Sequence, residues 1–180
     1  MAKSPEEIEA ARETLWEQRL EQFTAGFVKL FVRIGGSDKI ATWHDEISAE
    51  SFWAVPTADG YYELRNSPFY LNGLAWGDLV EGTPHVDEPR YVDFLRVRRR
   101  GGHSTIRTYL KGDGASPAIQ SLFDRLNALG VTYEYAGDIE LYAWDVPPEA
   151  DIDAVLELFD EGEREEHWAY DYGHIEHLVR

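Results

Sequence analysis

His103 and Ser104 are adjacent and supply the residue types of a base and a nucleophile. In an extended strand, however, neighbouring side chains diverge, whereas a catalytic pair must meet at about 3 Å. The double glycine before them, Gly101-Gly102, opens onto His103, Ser104, Thr105 and Arg107. Glycines let backbone N–H groups converge on an anion, and the polar side chains add donors. A phosphate loop would deliver a helix N-terminus, and here a strand is expected next. The competing reading is a reversing turn, with Arg98, Arg99 and Arg100 pairing against carboxylates of the same chain. A third group, His167, Asp171, His174 and His177, offers imidazole and carboxylate ligands for a divalent metal within eleven positions. His174 and His177 fall in the last seven residues, where a solvated tail is the simpler reading. No catalytic residue, metal or cofactor is assigned on these patterns.

Charge sets these candidates in relief. The chain carries a formal net charge of −17 over 180 residues, with a pI near 4.6. Between Arg90 and Lys111 there are seven basic residues against Asp93 alone, a local +6 that leaves −23 for the rest. That run is a candidate anion site or a clamp for the protein's own carboxylates. Conversely, Asp138 to Glu166 holds twelve acidic residues and one arginine. Such a stretch is ordinarily a solvated helix face, and it is also suited to steering a basic partner. Net acidity disfavours nucleic acid, whose affinity is built by neutralising phosphates.

With 43% hydrophobic and 13% aromatic residues the chain can bury a core. The absence of cysteine excludes disulfides and thiolate chemistry and fits a cytoplasmic location. Neither a membrane span nor a signal peptide is expected, because no apolar run approaches about 20 residues.

The elements that must position the candidates follow from periodicity. Ser4-Pro5-Glu6-Glu7 starts a helix running to about Ala25, with Ile8, Ala11, Leu15, Trp16, Leu20 and Phe23 on one stripe. Residues 27–34 alternate with period two, and strands are expected at 51–55, 61–65, 76–81 and 91–98, the second and third joined at Asp59-Gly60. Residues 27–100 thus predict a small curled β module, barrel-like. Residues 101–173 change rhythm: a strand at 104–110, a helix capped by Ser116-Pro117 and stopped at Gly130, strands at 131–136 and 139–146, a helix capped by Asp151, and a strand at 168–172. The order β-α-β-β-α-β is that of a ferredoxin-like sandwich, so the fold class is α+β. The expected division is 1–26 helix, 27–100 β module, 101–173 sandwich and 174–180 tail, with 27–173 one compact unit.

Alternation assigns faces. Ile106 and Leu110 are expected on the helices, leaving His103, Thr105, Arg107 and Tyr109 on the other side. In the third sandwich strand Ile139, Leu141 and Ala143 are expected inward, with Glu140, Tyr142 and Trp144 outward. That strand is expected to run parallel to the first as its central neighbour, which places Arg107 near Glu140 and Tyr142. So aromatic a face is covered by the β module or a second copy, or else it forms a ligand groove between the halves.

The chain resembles the uncharacterised bacterial family known as domain of unknown function 4265. The resemblance spans roughly residues 27–172. It rests on Phe52-Trp53, Asn66-x-Pro68-Phe69, Gly77-Asp78-x-Val80, Gly102-His103-Ser104-Thr105-x-Arg107 and Asp145-Val146-Pro147-Pro148 before Asp151. It implies no activity, and it marks the segment before Phe27 as an addition. Convergence of the motif groups would place Asn66, Asp78, His103, Thr105 and Arg107 at one locus; the alternative is that Asn66, Pro68 and Asp78 only shape turns. The expectation is a non-catalytic binding protein, regulatory or immunity-like, with a protein partner or a second copy. The alternative is a small-anion site or enzyme at the junction, using Asn66, Asp78, Arg98, His103, Thr105, Arg107 and Tyr142. No nucleic acid or membrane partner is expected.

Overall fold

The computed structural model describes residues 26–33, 47–111, 114–137 and 140–177. The helix expected before Ala25 lies outside the described residues, as do the last three residues of the tail.

The first half is a closed barrel of β1 (Val28–Arg33), β2 (Ala49–Pro56), β3 (Tyr62–Leu64), β4 (Leu79–Pro84) and β5 (Tyr91–Arg99). Successive strands pair antiparallel, and the parallel pairing of β1 with β5 closes the ring, with Leu30 beside Val92. Alternation in β1 sends Val28, Leu30 and Val32 inward, where they meet Phe52, Ala54, Leu64, Leu71, Leu74, Val80 and Val92. Closure removes the open edges that a small sheet would otherwise expose.

The second half comprises β6 (Ser104–Leu110), α1 (Pro117–Ala128), β7 (Thr132–Ala136), β8 (Leu141–Val146), α2 (Ile152–Arg164) and β9 (Trp168–His174). Its sheet has the order β7-β8-β6-β9, and every neighbouring pair is antiparallel. Both helix starts fall where the sequence places them. Ser116 accepts from the Ile119 N–H at 3.4 Å, and Asp151 from the Ala154 N–H at 3.2 Å. The helices pack on one face, setting Phe123 of α1 and Phe159 of α2 in one cluster with Ile106, Trp144 and Trp168 of the sheet; Phe123 and Trp144 meet edge-on at 4.7 Å. A Cβ at Gly162 would lie 2.1 Å from the Trp168 ring, so that glycine lets α2 sit against the indole.

Two expectations for this sheet are corrected. First, β8 is antiparallel to β6, with Arg107 opposite Ala143. The α1 crossover brings β7 parallel to β6, and β8, reversing from β7, must then oppose both. Second, the faces of β8 are exchanged. Tyr142 and Trp144 enter the helix-side core, while Leu141, Ala143 and Asp145 share the face of Arg107. The larger rings go where two helices can bury them, and the Trp144 indole N–H finds the Thr108 hydroxyl at 2.9 Å. Small Ala143 is left opposite the guanidinium.

Candidate functional site

The helix-free face of the second sheet is covered by the chain itself. Residues 65–78, linking β3 to β4, lie across it, and Thr105 and Arg107 beneath are fully buried. Each polar residue singled out in the sequence has a partner in this seam or lies away from it.

Arg107 is the centre. Its Nε and Nη2 donate to the two carboxylate oxygens of Asp171 on β9, each at 2.8 Å, in a fork. Nη2 also donates to Asn72 Oδ1 at 2.5 Å, and Nη1 to the Phe69 and Leu71 carbonyls at 3.4 Å. Glu50 on β2 takes the other side of the same backbone: its carboxylate accepts the N–H groups of Phe69, Tyr70 and Leu71 at 2.7, 3.1 and 3.0 Å. Burial holds the Glu50 carboxyl above its ordinary range, with these three N–H groups and Arg107 opposing the shift in part. A cation therefore holds the carbonyls of this segment and an anion holds its amides.

The glycine cradle exists, and the anion in it belongs to the protein. Asp78 accepts the Gly101 N–H at 2.9 Å and the Arg100 guanidinium at 2.7 Å, and it closes its own turn on the Ala75 N–H at 3.2 Å. Arg100 adds a bond to the Gly73 carbonyl at 2.6 Å. A Cβ at Gly101 would stand 2.4 Å from the Gly77 carbonyl carbon, so this close approach requires glycine. Gly102, at φ +88, makes the reversal.

His103 turns to Asp145 (Nδ1 to Oδ1, 2.7 Å), and Thr105 donates to the Leu74 carbonyl at 3.4 Å. Asn66 accepts the Trp53 N–H at 2.6 Å. Arg98 is elsewhere, outside the barrel with its guanidinium 5.6 Å over the Tyr61 ring. Tyr142 is on the opposite side of the sheet, stacked on Tyr135 at 4.5 Å. Of the seven residues named from sequence, five thus line the seam and two do not.

Ser104 diverges from His103, as strand geometry requires, and bonds His177 Nδ1 at 2.6 Å; His177 Nε2 lies 3.0 Å from the Pro147 carbonyl. His174 pairs with Glu176 at 3.0 Å, His167 lies 3.2 Å from Glu165, and Asp171 is taken by Arg107. Among the described residues no three such side chains converge on a metal-sized site.

Sequence reading missed Glu50, Asn72, Glu134 and Asp145 as members of the seam, and Asp171 was placed with the histidines. Glu134, on β7 opposite Ala143, accepts the Ser67 N–H at 2.7 Å. Burial pushes its carboxyl up to about 7; Asp145 and Glu50 push the same way, and the Ser67 N–H opposes them. Its signal was present in the alternation Tyr133-Glu134-Tyr135, where an acid sits between two rings on the opposite face.

Outside the seam, α2 presents Asp153, Glu157, Asp160 and Glu163 exposed, with Asp151 before it and Glu165 and Glu166 after. Glu161 alone on this helix is recorded in an ion pair among the described residues, with Arg125 of α1 at 2.6 Å. Tyr133, Tyr135 and Tyr172 stand exposed on the two edge strands of the same sheet.

A family model described as "Domain of unknown function (DUF4265)" matches residues 50–170. No protein of curated function matches the chain. A solved structure, "Novel crystal structure of a hypothetical protein from Neisseria gonorrhoeae", is similar at a TM-score of 0.64 with 17% identity, over 82% of this chain and 94% of that one. That likeness is one of fold.

Proposed function

The chain belongs to the family described as Domain of unknown function (DUF4265), and we propose that it acts by binding and not by catalysis. In this reading it presents the acidic face of α2 to a basic protein partner. One observation carries it: the polar groups of the Gly-His-Ser-Thr-x-Arg motif are engaged by the chain's own backbone and carboxylates, whereas Asp153, Glu157 and Glu163 of α2 are exposed with no ion pair recorded among the described residues. A surface of one sign accelerates encounter with a complementary partner, and the benefit falls with salt. Dimerisation through the same sheet edges is the second arrangement, since Tyr133, Tyr135 and Tyr172 are exposed there.

The reading of a small-anion site around His103 and Arg107 loses its main support, because the Arg107 fork is directed at Asp171. We also read the second half as a ferredoxin-like sandwich, on its β-α-β-β-α-β order and two helices on one face. The seam bonds favour residues 27–173 as one unit, and a cytoplasmic setting accords with a cysteine-free chain. The test is affinity capture from the native host with the full chain and with Glu157→Lys/Glu163→Lys. A basic partner should be retained by the former and lost about tenfold by the latter or by a rise to ~0.5 M salt. Equal retention by both proteins defeats the proposal.

A further inference from the structure

Trp168, Tyr170 and Tyr172 fall at every second position of β9, so they share the face that α2 covers. Cover runs out along the strand: Trp168 is fully buried, Tyr170 is half-buried and Tyr172 is 49% exposed. We propose that Tyr172 and the Asp160 carboxylate form a seat for a lysine side chain of the partner. The proposal rests on the binding reading above and names where on the α2 surface the basic residue is held.

Three observations converge. The first is the geometry of the corner. The Tyr170 ring lies 5.6 Å from that of Phe159 on α2, and its hydroxyl donates to Asp160 Oδ1. The Tyr172 ring stands at 85° to Tyr170 with centroids 5.7 Å apart, and the two hydroxyl oxygens are 3.4 Å apart. An exposed carboxylate and an exposed ring are thus joined through one buffering tyrosine. A cation is drawn to the carboxylate by charge and to the ring face by its quadrupole. Burial, and then the bond to Asp160, holds the Tyr170 hydroxyl above its ordinary pKa, so Tyr170 stays a neutral donor.

The second is charge. After the short turn at 165–167, β9 runs back along α2. Two strand residues advance about 7 Å, against about 4.5 Å for the three helix residues from Asp160 to Glu157. Tyr172 is thereby carried to about the level of Glu157, which is exposed, as is Asp153 one turn before it. Arg164, the one cation of α2, lies a turn beyond Asp160 in the other direction. The third is what Asp160 has left to offer. Beside it, Glu161 gives both oxygens to the fork of Arg125, at 2.6 and 2.8 Å. Asp160 has Oδ1 committed to Tyr170, so the compact ammonium of lysine fits it better than a guanidinium fork. The Lys29 ammonium, 4.6 Å from the Trp53 ring centroid, makes the same kind of pairing within this chain.

The probe is a peptide of alternating lysine and glycine, titrated into the full chain and followed by the amide resonances of Asp160, Tyr170 and Tyr172. Its dissociation constant should rise about fivefold in Tyr172→Leu and about tenfold in Asp160→Asn, while Tyr172→Phe, which keeps the ring, stays within about twofold of the parent. A matched peptide of arginine and glycine should bind about threefold more weakly. Binding that Glu157→Lys/Glu163→Lys weakens, but Tyr172→Leu and Asp160→Asn leave unchanged, overturns the seat and spares the acidic-face reading. Equal binding by all of these variants overturns both. Failure of the parent to bind the lysine peptide overturns the seat, and arginine binding as tightly as lysine overturns the choice of lysine.

Discussion

The seam and the face of α2 are both rich in charge, and they use it in opposite ways. In the seam one guanidinium, fully buried, serves a carboxylate, an amide side chain and two backbone carbonyls at once. On α2 four exposed acids stand on one helix with a single recorded ion pair, between Glu161 and Arg125. Buried charge is tolerated only when its partners are fixed, since desolvation costs several kcal/mol per ion. Exposed charge is cheap to keep and contributes little to stability. The contrast separates residues that hold the molecule together from residues free to meet something else.

The largest expected effect that would break this contrast is at its centre. Arg107→Ala should cost about 3–5 kcal/mol in urea unfolding, because Asp171 is left without its cation and two carbonyls without donors. A loss under about 1 kcal/mol would mean that the seam is not held by its charges. Next, Gly101→Ala should cost about 1–3 kcal/mol, since the new methyl must push back Gly77. The Asp78 cradle should open with it, visible as faster exchange at the Gly101 amide.

Glu134 sharpens the comparison within the seam, because burial pushes its folded-state pKa to about 7, above the ordinary value of 4.5. The stability tied to its proton is present below pH 4.5 and is lost as the pH climbs through 7. Glu134→Gln keeps an acceptor for the Ser67 N–H without the charge. It should therefore be about 1–2 kcal/mol more stable than the parent at pH 8, after allowance for solvent screening, with the gap closing towards pH 4.5. Melting curves across pH 4.5–8 decide this, and parallel curves would refute it. At the small end, Glu157→Lys/Glu163→Lys should change unfolding free energy by no more than about 0.5 kcal/mol at ~0.15 M salt. A cost of several kcal/mol would place those acids with the structural charges after all.

What was legible in the sequence was local. The caps at Ser116 and Asp151 read correctly because each bonds a backbone three residues away. The first strand read correctly because Val28, Leu30 and Val32 alternate cleanly with larger or charged residues. The faces of β8 did not, because Leu141, Tyr142, Ala143 and Trp144 are apolar in succession, and either phase satisfies a period of two. The site was half legible for the same reason. The motif residues stood out by type, but their partners are distant: Asp145 is 42 positions from His103, and Asn72 and Asp171 are 35 and 64 from Arg107. No spacing rule links them, since the topology alone brings them together. The family model begins at residue 50, well inside the span of 27–172 that the motifs suggested, so β1 lies outside the matched region although it closes the barrel.

The Arg107 and Asp171 fork has a consequence in time. Synthesis runs from the N-terminus, and the arginine is made 64 residues before the carboxylate that neutralises it. Until β9 emerges, the nascent sheet holds a cation it cannot bury, and residues 65–78 cannot settle over it with that charge balanced. Every chain broken off before Asp171 shares this defect. Completion of the fold is thereby tied to synthesis through Asp171, and chains truncated before it should be cleaved by protease faster than the full chain.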